Sequence, residues 1–105
     1  MNLEELKAKL RTYTKKDLIF KQPHFYDQLI IREGSKEEVI INILNPENLV
    51  YAHQKEGNNV ICLYFKISNT RTMMLPVVFN EKSLYIKTYI MRYRAWESMV
   101  NRREK

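Results

Sequence analysis

Glycine, proline and cysteine are scarce in this chain of 105 residues, at two, three and one. Two glycines cannot supply a glycine loop that cradles phosphates, so nucleotide-binding motifs of that kind are excluded. The same poverty in glycine and proline leaves little room for linker or disordered sequence. A lone cysteine, Cys62, excludes an internal disulfide and a cysteine zinc site. It stands inside "NVICLYFKI", where a small buried hydrophobe is the expected role. The longest apolar runs, such as "VIINIL" and "MMLPVVF", are too short to span a bilayer, so no membrane partner is expected. The opening "MNLEELKAKL" lacks the basic segment, apolar run and small-residue cleavage site of a secretory leader, so a cytoplasmic protein is expected. There is no H-E-x-x-H, no paired-histidine spacing and no carboxylate cluster suited to magnesium, so no metal or cofactor is expected.

What the chain has in excess is positive charge. Lys and Arg number 18 against 12 Asp and Glu, a net charge of +6. That balance suits a polyanionic partner such as RNA or DNA, or an acidic protein. Much of the excess follows Lys82, where Lys87, Arg92, Arg94, Arg102, Arg103 and Lys105 stand against Glu97 and Glu104. The tyrosines interleaved with these cations favour nucleic-acid contact over a merely solvated tail.

The length is that of one domain. Leu3, Leu6 and Leu10 fall at helical spacing, with Asn2 as N-cap and Glu4 and Glu5 at the positive end of the helix dipole. "DLIF" predicts a short strand. Pro23 fits the first turn of a second helix, whose stripe is Phe25, Leu29 and Ile30. Gly34 is expected to end that helix in the left-handed conformation. Ser35 opens "SKEE", a capping box, and the helix it starts buries Val39, Ile40, Ile43 and Leu44 until "NPEN" stops it. From Leu49 the pattern becomes β-branched and aromatic runs between short polar turns, which is the mark of an antiparallel meander. Pro76, inside the third run, predicts a bulge or an outward-facing position. "RYRAWESMV" predicts a short terminal helix docked by Trp96, Met99 and Val100.

Alternation puts Ile61, Leu63, Phe65 and Ile67 on one face and Val60, Cys62, Tyr64 and Lys66 on the other. In the last strand it sets Leu84, Ile86, Thr88 and Ile90 against Tyr85, Lys87, Tyr89 and Met91. The expected fold is α+β, with helices packed on one face of a mainly antiparallel β-meander sheet. The other face is expected to be a half-open surface of Tyr64, Lys66, Tyr85, Lys87 and Tyr89.

The elements run in a particular order: "LIF", His24, a helix ending in "IREGS", a capped helix with "KEEV", the "NPEN" stop, then strands. In this order the chain resembles the BrnT-like branch of the RelE-type toxin superfamily, over about residues 18 to 95. Residues 17–95 would form the toxin-like core, residues 1–16 an added N-terminal helix, and residues 96–105 a terminal helix and basic tail. The resemblance implies a small ribonuclease that cleaves messenger RNA, including ribosome-bound messenger, restrained by a cognate antitoxin protein. It also implies a site built from Lys, Arg, His and Tyr on or beside the sheet.

Attack by a ribose 2′-hydroxyl needs a base, an acid and cations around the phosphorus. His24 suits proton transfer, and it equally suits packing at a helix start. Lys66 and Arg71 flank the "SNT" turn, where a phosphate could approach, and Arg92 lies beside the last strand. These four are the candidate catalytic residues. Arg32 stands two helical turns beyond His24, about 12 Å along the axis. It could bind phosphate, but a structural pair with Glu33, Glu37 or Glu38 is the preferred expectation. Tyr64, Tyr85 and Tyr89 could stack on bases, and Lys87 and Arg94 complete the candidate RNA-binding set. Tyrosine is also simply a good strand former. His53 reads as an exposed residue at a strand end. Two alternatives stand beside the ribonuclease: a non-catalytic RNA- or DNA-binding module, and an interaction subunit acting through homodimerisation.

Overall fold

Asn2 starts the first helix, α1 (Leu3–Leu10), by accepting from the backbone N–H groups of Glu4 at 2.8 Å and Glu5 at 3.2 Å. The structure, a computed structural model, describes residues 2–55 and 57–104, with side chains up to residue 101. The side chains of Arg102 and Arg103, and Lys105, lie outside the described residues. Leu6 and Leu10 of α1, with Tyr13, sit in the main core, so this helix is built into the domain.

A short strand, β1 (Leu18–Phe20), leads to α2 (His24–Ile31). Phe25 and Leu29, one turn apart, are buried, whereas Ile30 is 75% exposed. Ile30 lies about 100° further round the helix than Leu29, which carries it off the stripe. Ser35 then caps α3 (Lys36–Leu44), its hydroxyl oxygen accepting from the N–H of Glu38 at 3.3 Å. The left-handed residue of the junction is Glu33, at φ 53°, and not Gly34. Gly34 is required for another reason. A Cβ there would lie 2.7 Å from two ring carbons of Tyr89 and 2.8 Å from Leu29 Cδ1. The glycine lets an aromatic ring lie directly on the backbone.

The sheet adds β2 (Leu49–Gln54), β3 (Ile61–Ser68), β4 (Arg71–Phe79), β5 (Leu84–Ile86) and β6 (Ile90–Arg92), and α4 (Trp96–Glu104) closes the chain. The strand order is β1-β5-β4-β3-β2, with β6 also paired to β4. Among the described residues only β1 and β5 run parallel; the remaining pairs are antiparallel. The fold is therefore α+β with a mixed, mainly antiparallel sheet. One core joins α1, α2 and α3 to the face presenting Leu63, Phe65, Met73, Leu75, Val77, Leu84 and Ile86. The opposite face carries a smaller cluster of Cys62, Tyr64 and Met74, against which Met99 of α4 packs.

Pro76 shapes the far edge of this sheet. Its carbonyl accepts from the N–H of Lys87 at 2.9 Å, so its missing N–H falls on the same side, towards β5 and β6. The ladder is interrupted there. Val77 pairs with Ile86 and Met74 pairs with Ile90, so three steps along β4 face four on its partner. The extra residue is a bulge in the chain opposite Pro76. It reverses the alternation: Leu84 and Ile86 face the core before it, Tyr89 and Met91 after it. Tyr89 is thus 1% exposed, inside the core rather than on the outer face. Tyr64 is also 1% exposed, with the Tyr51 ring edge-on at 5.2 Å and Met99 packed on its cluster. The expected open face of tyrosines and lysines is corrected accordingly. Tyr64 and Tyr89 are buried, and Lys66, Tyr85 and Lys87 are half-buried. Among the described residues, no helix is long and apolar enough to cross a membrane.

Candidate nucleic-acid interface

The bulge opens a concavity of about 330 Å³. Lys21, His24, Lys55, Asn58, Lys87 and Thr88 line it, together with Val60, Pro76 and Ile90. These six polar residues arrive by four routes. Lys21 extends the β1–β5 pairing, its N–H donating to the Ile86 carbonyl at 2.9 Å. His24 is the first residue of α2 and is exposed. Lys55 and Asn58 come from the β2–β3 turn, where the Lys55 N–H donates to Val60 O at 3.1 Å and Asn58 Oδ1 accepts from the Val60 N–H at 2.9 Å. Lys87 and Thr88 are the bulge itself. Among the described lining residues there is no carboxylate. The one ion pair among the described residues is Lys7–Glu4 at 3.7 Å, so all three ammonium groups of the concavity are without an acidic partner there. Three cations and an imidazole round one depression focus a positive potential into it.

Two arginines, Arg32 and Arg71, stand apart from this concavity. Arg32 donates from Nε to Gln28 Oε1 at 3.3 Å, and makes none of the expected ion pairs with Glu33, Glu37 or Glu38. The sequence-preferred pair is therefore corrected: the guanidinium satisfies itself one turn back along its own helix. The Arg71 guanidinium lies 5.8 Å from the centroid of Tyr93, and its Nε is buried with no hydrogen-bond partner among the described residues. Both charges act on Tyr89. Burial raises the pKa of its phenol and the charge of Glu38 adds to the rise, while Arg71 and Arg32 oppose it.

The candidate catalytic residues do not share one place. Lys66, Thr72 and Arg92 are register partners across β3, β4 and β6, so they share the α4 side of the sheet. Arg71 precedes Thr72 and points to the opposite face, so Lys66 and Arg71 do not flank a common phosphate. His24 is remote from that row. Its concavity includes Pro76, four residues along β4 from Thr72, about 13 Å of strand. Thr72 Oγ1 donates to the Arg94 carbonyl at 2.9 Å, which fixes the turn into α4 and leaves the Arg94 side chain exposed. Tyr85 is half-buried opposite Val78, and His53 is half-buried opposite Cys62. The structure unites His24 with Lys87 and sets Arg71 beside Tyr93.

Sequence reasoning missed Lys21, Lys55, Asn58, Thr88 and Tyr93. The turn signal in "EGNN" could have placed Lys55 and Asn58 together. Lys21 depends on a parallel pairing that leaves no local signal.

Another concavity, of about 310 Å³ beside β1, includes Lys15, Phe20, Tyr26 and Lys36. Its Lys36 already donates to the Tyr26 hydroxyl at 2.7 Å and lies 4.9 Å from the Phe20 ring centroid, so that ammonium is engaged within the protein. Among the described residues, no three His, Cys, Asp or Glu side chains gather so as to hold a metal ion. No family model, no curated protein and no solved structure matches this chain.

Proposed function

We propose that the chain is a metal-independent endoribonuclease of RelE/BrnT type, acting in the cytoplasm on single-stranded or ribosome-bound messenger RNA and restrained by a cognate antitoxin protein. The observation that carries this reading is the gathering of His24, Lys21, Lys55 and Lys87 round one concavity. The His24 imidazole takes the proton of a ribose 2′-hydroxyl, whose oxygen attacks the adjacent phosphorus. The bond from phosphorus to the 5′ oxygen breaks, and a rim ammonium protonates that leaving oxygen. The products are a 2′,3′-cyclic phosphate and a 5′-hydroxyl. The remaining ammonium groups offset the charge that builds on the phosphoryl oxygens.

One observation favours a second reading, a non-catalytic RNA-binding module. His24 is exposed, and no hydrogen bond to its side chain forms among the described residues, so the free protein does not orient the ring. Induced expression in a bacterial host separates the two. The ribonuclease reading expects growth arrest with cut messenger, both abolished by His24→Ala or Lys87→Ala at equal soluble expression. Normal growth with intact RNA at high soluble expression counts against it and leaves the binding module.

A further inference from the structure

We infer that Arg71 and Tyr93 form a separate nucleotide subsite, which takes a phosphate of an RNA strand on the guanidinium and its base on the tyrosine ring. This rests on the RNA reading above. Four observations converge on it. First, the buried Nε–H of Arg71 has no acceptor among the described residues. That nitrogen is shut off from solvent, so the groups that can meet a ligand are the Arg71 Nη atoms, which are neither so buried nor hydrogen-bonded among the described residues. Second, the guanidinium lies 5.8 Å from the Tyr93 ring centroid. Stacking of that kind leaves the planar donor fork, which matches the geometry of phosphate. Third, Arg71 has no acidic partner among the described residues. Fourth, Tyr93 is 71% exposed, so its ring is open to a stacking base.

The position of the cluster gives it a role distinct from cleavage. Arg71 stands five residues along β4 from Pro76, which lines the concavity, about 16 Å of strand. A nucleotide held here is therefore not the one whose 2′-hydroxyl reacts at the concavity. It fixes the register of the strand, and so the place of the cut.

The test follows side-chain signals of the full, isotope-labelled protein by NMR during titration with 5′-AMP, adenosine and inorganic phosphate. The Arg71 Nε–H and the Tyr93 ring protons are expected to shift with 5′-AMP, and the Arg71 Nε–H alone with phosphate. Tyr93→Ala should weaken 5′-AMP binding at least about fivefold. Arg71→Lys keeps the charge but loses the fork, and should weaken it too. The inference is overturned if 5′-AMP moves only signals of Lys21, His24 and Lys87, or if Arg71→Lys and Tyr93→Ala, both folded, bind it as the parent does. Failure of the ribonuclease reading is distinguishable. Response at Arg71 and Tyr93 without RNA cleavage leaves the subsite standing, and cleavage without that response sinks the subsite alone.

Discussion

Gly34→Ala probes the contact on which the sheet edge and the helix junction both depend. The new Cβ would lie 2.7 Å from Tyr89 Cε1 and Cζ and 2.8 Å from Leu29 Cδ1. Ordinary carbon contacts lie about 1 Å further out. The ring has little freedom to withdraw, because Tyr89 is buried and packs edge-on against Phe25 at 6.4 Å between centroids. Overpacking of this kind costs about 1–3 kcal/mol. Alanine also restricts the unfolded chain, which returns about 0.4–1 kcal/mol because Gly34 does not need a positive φ. The expected net loss is about 1–2 kcal/mol. Urea denaturation measures it, as a lower midpoint with an unchanged slope. Shrinking the ring should relieve the clash, so Gly34→Ala combined with Tyr89→Leu should cost less than the sum of the two single changes. A Gly34→Ala protein as stable as the parent would refute the reasoning, since Tyr89 then could not lie on residue 34.

Further outcomes follow from the same structure. Glu33 holds φ 53°, so Glu33→Gly should raise stability by about 0.5–1 kcal/mol, and an unchanged or lower urea midpoint would deny that strain. The phenols of Tyr89 and Tyr13 are both raised, chiefly by burial. Their contribution is complete below the ordinary phenol pKa and lost as pH rises through the higher folded values, so stability should fall in strong alkali. Tyr89→Phe should flatten that fall, and a slope equal to the parent's would contradict the assignment. Replacing Lys21, Lys55 or Lys87 by Ala should weaken binding to single-stranded RNA regardless of sequence. Each change should reduce the salt slope of log affinity by about 0.7, and unchanged slopes would place the phosphates elsewhere.

Much of the fold was legible where physics is local. Asn2 and Ser35 cap the helices expected of them, and the two faces of β3 follow its alternation. Three features were not legible. The left-handed residue fell on Glu33 because the helix closes one residue early, with the Gly34 N–H donating to the Leu29 carbonyl at 2.7 Å, and Gly34 instead meets Tyr89 from a distant part of the chain. Tyr89 turned inward because Pro76 interrupts the ladder, and a one-residue bulge reverses every side chain beyond it. Pro76 itself signalled a bulge, but not which partner chain would carry the extra residue. The concavity draws Lys21, His24, Lys55 and Lys87 from a strand end, a helix start, a hairpin and the bulge. Each is an ordinary surface residue in its own neighbourhood, so only the tertiary fold reveals them as a group.

The most direct test of the central claim is a cleavage assay with the purified protein in excess chelator. Two oligonucleotides are compared: one all-ribose, the other carrying a single 2′-deoxy position at the cut. Cleavage of the first to a 2′,3′-cyclic phosphate end, none at the deoxy position of the second, and loss of cutting but not of binding in His24→Ala are the predicted results. Intact all-ribose RNA at protein concentrations that bind it, or cutting unaffected by His24→Ala, would contradict the claim.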